Sequence, residues 1–222
     1  SSSASAKKRL ADFQQQELEM LENKDKLSQY DLDRSNKKLE ILQAQIALED
    51  AQNNKSSMRL RRDSQGNYSY QFVADTSAVE KAQEDLQNSV HDLYTLDKER
   101  LQTTVDEYHN TWMKAQEEIA TAMQTLQGEE LEARIQQIKD HYQPLLEGYS
   151  KDITEANTNL SQSALSNLSL FNKDAKISTD DIVNYLTGDK TGSKKLENSF
   201  ITSLNNVGVN FKDNLPGMSH AG

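Results

Sequence analysis

The stretch MRLRRDSQGNYSYQFVAD, residues 58–75, breaks with the character of everything around it. On either side the chain is rich in Leu, Glu, Gln and Lys and nearly free of helix breakers. Here Met58 and Leu60 alternate with Arg59 and Arg61, and Tyr68, Tyr70 and Phe72 alternate with Ser69 and Gln71. A period of two is that of a strand. Between the two runs lie Asp63, Ser64, Gln65, Gly66 and Asn67, and Gly and Asn accept the positive φ that hairpin turns demand. The reading is a β-hairpin over residues 57–74. One face carries Met58, Leu60, Tyr68, Tyr70 and Phe72, and the other shows Arg59, Arg61, Ser69 and Gln71. A lone two-stranded hairpin is only marginally stable. Its aromatic face is therefore expected to rest on the helix ends, on another copy or on a partner. The plainer alternative is a turn that only closes two helices.

Outward from the hairpin, residues 1–56 read as one long helix, with no Pro or Gly and abundant helix formers. Phe13, Met20, Leu27, Ile41 and Leu48 fall on a seven-residue grid interrupted at Arg34, and Leu32, Leu39, Leu42 and Ile46 widen the stripe. Residues 75–127 read as a second long helix, capped by Asp75 or Thr76. It carries Val79, Ala82, Leu86, Val90 and Leu93. Leu101, Val105, Tyr108, Trp112, Ala115, Ile119, Ala122 and Leu126 follow at alternating steps of four and three, which marks a coiled-coil seam. Tyr108 and Trp112 are read as seam fillers rather than as a platform for a cofactor. Each long helix would span roughly 75 Å, and their similar lengths predict antiparallel pairing with the hairpin at the tip.

Residues 128–170 are expected as further helices broken near Gly128 and Pro144, since a proline ring does not fit an unbroken helix interior. The Ser- and Asn-rich run NTNLSQSALSNLSLFN marks a boundary near residues 160–175. Residues 171–222 read as short helices and loop, with Ser178 or Thr179 capping DDIVNYL and Ser193 capping KKLENSFITSL. The predicted fold class is mostly all-α: long coiled-coil helices, one short β-hairpin between the first two, and shorter helices at the C-terminal end.

Composition narrows the function. Only 35% of the 222 residues are hydrophobic, and Gly and Pro number eight and two, a pattern of long helices that each bury one narrow stripe. The formal charge of −10 argues against stable nucleic-acid binding, which needs a basic footprint. The cluster Lys55, Arg59, Arg61 and Arg62 is better suited to acidic side chains of a neighbouring copy. There is no Cys, hence no disulfide or thiolate site. No stretch reaches the ~18 apolar residues of a membrane span. The chain opens SSSASAKK without an initiator Met, so it reads as an internal piece of something longer.

No catalytic, cofactor or metal residues are assigned. GDKTGSKK, residues 188–195, misses the spacing of a phosphate-binding loop and has Ser193 where that loop has Lys. His91, His109, His141 and His220 are scattered, without metal-ligand spacing. Glu117–Glu118, Glu129–Glu130 and Asp180–Asp181 read as solvated or helix-starting charges. NKDAKISTDD lacks the alternating oxygens and Gly of a calcium loop.

Ala47–Asn53, Arg62–Tyr70 and Lys81–Leu96 together resemble a stretch of bacteriophage tail tape measure proteins. In that family an Ala-Gln-rich helix leads into Arg-Asp-Ser-x-Gly-Asn with aromatics, then into a second Ala-Gln-rich helix; Thr95 stands where Asn is expected. The resemblance covers about 60 residues. It implies an elongated structural protein of the tail-tube lumen that sets tail length and leaves before genome ejection. It also implies a virion location after assembly in the host cytoplasm, a symmetric trimer or hexamer, and tail tube and tail tip or baseplate proteins as partners. No enzymatic role is expected. Two rivals stand beside it: a generic coiled-coil scaffold or interaction module docking through the hairpin tip, and an enzyme with its site in the last 60 residues.

Overall fold

The computed structural model describes residues 2–23, 27–171 and 178–188. Five helices and one hairpin follow in the order α1 (Ser2–Leu21), α2 (Gln29–Asn53), β1 (Ser57–Arg62), β2 (Tyr68–Val73), α3 (Thr76–Thr125), α4 (Gly128–Phe171) and α5 (Thr179–Thr187). The mostly helical class with a hairpin between long helices is thus observed. The chain divides into two compact units. Among the described residues no helix is long and apolar enough to cross a membrane.

The first unit holds α1, α2, the hairpin, the start of α3 to Thr95, and α4 from Gln162 together with α5. The single helix expected over 1–56 is two helices. α1 closes with the Glu22 amide on the Leu18 carbonyl and the Asn23 amide on that of Met20. α2 opens at a capping box in which the Ser28 hydroxyl accepts from the Asp31 amide while the Asp31 carboxylate accepts from the Ser28 amide. Ser28 therefore satisfies amides that a continuous helix would have bonded internally. Glu17 accepts from the Ser35 hydroxyl at 3.1 Å, and Arg9 donates to the Gln45 side chain. The two pairings run in opposite order along the helices, so α1 and α2 are antiparallel.

The apolar core of this unit includes Phe13, Tyr30, Ile41, Leu42, Leu48, Leu86, Val90, Leu93, Leu165, Ile182 and Leu186. Arg34, the residue that interrupts the seven-residue grid, is buried as well. Its guanidinium donates to Gln162 of α4, and Gln162 in turn donates to the Tyr185 carbonyl of α5. A charged side chain is tolerated in the stripe because its donors are met there.

α3 begins where the sequence places it: the Asp75 carboxylate accepts from the Ser77 amide and its carbonyl from the Val79 amide. Its second half, from Leu96, belongs to the second unit together with α4 up to Ser161. Gly128, at φ +61°, turns the chain back. Ala115, Ala122, Ile138 and Tyr142 form the resulting core, with Ile119, Leu126 and Leu131 packed against it. Arg100 of α3 reaches Asp152 of α4 at 3.6 Å. The partner of this half of α3 is therefore α4, and the equal-length pairing of the two helices flanking the hairpin is corrected, since α2 has only 25 residues against 50 in α3. Pro144 does not break α4, which runs on for 44 residues. Ser178 caps α5 as expected, its hydroxyl accepting from the Asp181 amide. The cap proposed at Ser193, the loop at residues 188–195 beyond Gly188, and His220 lie outside the described residues.

Candidate functional site

The hairpin forms because its loop is held by one carboxylate. Asp63 accepts from the Gln65 and Asn67 amides at 2.9 and 2.8 Å, its carbonyl accepts from the Gly66 amide, and its own amide donates to the Asn67 carbonyl. Gly66 supplies the left-handed residue of this turn, at φ +87°. Asn67, the other candidate for positive φ, stays at negative φ. The strands pair antiparallel with Met58 opposite Phe72, Leu60 opposite Tyr70 and Arg62 opposite Tyr68. This register puts Met58, Leu60, Tyr68, Tyr70 and Phe72 on one face, as the alternation requires, and adds Arg62 to it. The Arg62 guanidinium sits 5.7 Å from the Tyr68 ring centroid, a cation–π contact worth about 0.5–1 kcal/mol when exposed. Arg61 lies on the opposite face with Arg59.

None of these side chains is covered. Tyr70 is 72% exposed and Met58, Tyr68 and Phe72 are each 60% or more. A contiguous apolar patch rimmed by charge is the usual mark of an interaction surface.

The expected seam on α3 divides in the structure. Ala115 and Ala122 are buried and Ile119 and Leu126 partly so, all against α4. Leu101 is half-buried, but Val105, Tyr108 and Trp112 are 42%, 36% and 42% exposed. Between α3 and α4 these aromatics border an open groove of about 450 Å³, lined also by Ala115, Ile119, Ile138, Tyr142 and Leu146. Tyr108 and Trp112 are thus groove residues, and the reading of them as buried seam fillers is corrected. Burial and the neighbouring Glu118 carboxylate hold the Tyr142 phenol above its ordinary pKa, so it stays a neutral hydrogen-bond donor. Helical spacing marks Tyr142 and Leu146 as stripe residues, but the groove itself depends on the register in which α4 folds back, which spacing does not encode.

A second constellation went unforeseen. Arg9 of α1 pairs with Asp180 of α5 at 3.2 Å, and Gln45 of α2, 2% exposed, donates to the same carboxylate at 2.6 Å. Glu49, one turn along α2, has a buried Oε2 with no hydrogen-bond partner. Its pKa is raised, first by burial and then by Asp180 and Asp50, with Arg9 opposing. The only sequence signal was the acidic first turn of α5.

His91, His109 and His141 are exposed; His91 lies near Tyr94 and His141 edge-on to Tyr142. Among the described residues no three His, Asp or Glu side chains are grouped as metal ligands would be. What the hairpin and the groove offer is apolar and aromatic surface for binding. No protein-family model, no curated protein and no solved structure matches the chain.

Proposed function

We propose that this chain is a non-enzymatic structural segment of a bacteriophage tail, part of a tape measure protein. It assembles in the tail-tube lumen, contributes to setting tail length, and leaves before the genome passes. One observation carries the reading: the motif Arg62–Tyr70, on which the resemblance rests, is an exposed, basic-edged aromatic hairpin leading into a helix of 50 residues. Long helices with a fixed rise supply length per residue, and the uncovered hairpin supplies a contact through which such a protein engages the tube, the tail tip or another copy. The chain's net charge of −10 keeps it from adhering to DNA that shares the same conduit.

A second reading, a helical interaction module docking through the hairpin outside any tail, is favoured by the turn at Gly128. A chain that folds back gains less length than one that runs on.

The deciding measurement is mass spectrometry of purified particles of the phage encoding the chain, before and after triggered ejection, beside electron microscopy of tails from a mutant lengthened within the parent gene. Expected are peptides of this chain in intact tails, their loss on ejection, and longer tails in the mutant. Tails that lack the chain, or keep their length in the mutant, overturn the assignment and leave the interaction module.

A further inference from the structure

The hairpin face and the groove of the second unit are both exposed apolar and aromatic surfaces, and the segments that carry them have opposite net charge. The hairpin is a projecting ridge of aromatic and aliphatic side chains, Tyr70 and Phe72 at its centre, that no other described part of the chain covers. Two strands of six residues do not stabilise themselves in water. The groove, at about 450 Å³, falls in the range that receives a few side chains rather than a whole helix. Its exposed lining includes Tyr108 and Trp112, which suits stacking against tyrosine and phenylalanine and cation–π contact with arginine.

Charge selects the occupant. Residues 55–73 hold four cations and one carboxylate, whereas residues 96–161 hold thirteen acidic against six basic side chains. Lys139 and Glu147, both lining the groove, offset one another, and Glu107 lies beside Tyr108 in sequence. A cation-edged aromatic ridge, with Arg62 on its apolar face and Arg59 and Arg61 behind it, and an aromatic groove within a net-acidic unit are the two halves of an interface between copies. We propose that the hairpin of one copy inserts its aromatic face into the Tyr108–Trp112 groove of a second copy. Each copy offers one hairpin and one groove: reciprocal exchange closes a two-fold dimer, and one-way exchange closes a larger ring or extends as a filament. The proposal does not depend on the tail assignment and survives its failure.

Trp112 is the sole tryptophan of the chain and reports directly from the groove. The experiment follows Trp112 emission and mass by sedimentation velocity, over a concentration series of the full chain and at rising salt. Expected for the wild type are a blue shift that grows with concentration in step with oligomer mass, both weakening as salt screens the charges. The double variant Tyr70→Ser/Phe72→Ser, altered only at exposed positions, loses the shift and associates at least roughly thirtyfold more weakly, as for truncated hot-spot aromatics. Tyr108→Lys in the groove does the same. Helical circular dichroism is unchanged in both. Mixed one to one, the two defective proteins form a dimer that goes no further, because only one intact hairpin and one intact groove remain.

Emission independent of concentration, association that survives both variants, or a mixture that stays monomeric overturns the proposal. So does a spectrum altered by the hairpin variant at every concentration, which would put the chain's own hairpin in the groove.

Discussion

At Gly66 the backbone lies at φ +87°, where a side chain at Cβ is strained whatever the room around it, and the nearest Arg62 nitrogen is 3.4 Å from that position. Gly66→Ala is expected to destabilise the hairpin by about 1–2 kcal/mol. The reading is faster hydrogen exchange at the β1 and β2 amides with the helical unfolding midpoint unchanged, because the hairpin faces solvent on both sides. Glu49 yields a pH-dependent expectation. Its folded pKa is raised, so its favourable contribution is complete below the ordinary glutamate range, about 4.3, and is lost as pH rises through the higher folded value. Asp180, Asp50 and Arg9 face it, and Gln45 joins the same network. Glu49→Gln should therefore match the wild type in thermal midpoint near pH 4 and exceed it progressively toward pH 7. A difference that is flat with pH, or of opposite sign, refutes the burial of that carboxylate.

At the scale of elements, Pro144 stands well inside α4 yet is exposed to solvent. Its ring removes the amide that would bond the Asp140 carbonyl and crowds that carbonyl, while contributing no buried surface. Pro144→Ala should stabilise α4 by about 1–3 kcal/mol, seen as a higher melting temperature. An unchanged or lower one means that packing on α3 requires the bend. The local rule for proline predicts a break, but the flanking stripe, Ile138 and Tyr142 before it and Leu146 after it, is buried enough to carry the helix through. The reverse error occurred at residues 22–28, where no Gly or Pro announces an end. The signal there was Ser28 with Asp31 three residues on, a capping box written with the shorter acid. The hairpin was legible to the residue because alternation, Asp63 and Gly66 agree. The partner of α3 was not legible, since a seam states that a face is apolar and leaves open which helix covers it.

At the scale of the whole molecule, the two units differ in how much apolar surface they bury. Among the described residues, most of the fully buried large side chains, such as Ile41, Leu42, Leu86, Leu93, Leu165, Ile182 and Leu186, belong to the first unit. The second buries Ile138 and Leu160 among many alanines, Ala115, Ala122 and Ala156, with Tyr142 beside them. Alanine removes little area from water, at roughly 25 cal/mol per Å², so the second unit is expected to be the less stable one. α3 and α4 run through both units, so separate melting requires their helices to part at the boundary. Calorimetry should resolve two transitions. Ile138→Ala, a core truncation costing about 2–4 kcal/mol, should lower the first by about 10 °C or more and leave the second in place. Leu165→Ala should lower the second. A single transition that both substitutions move alike would show that the units unfold as one cooperative body, and the weak alanine-lined core would then owe its stability to the rest of the chain.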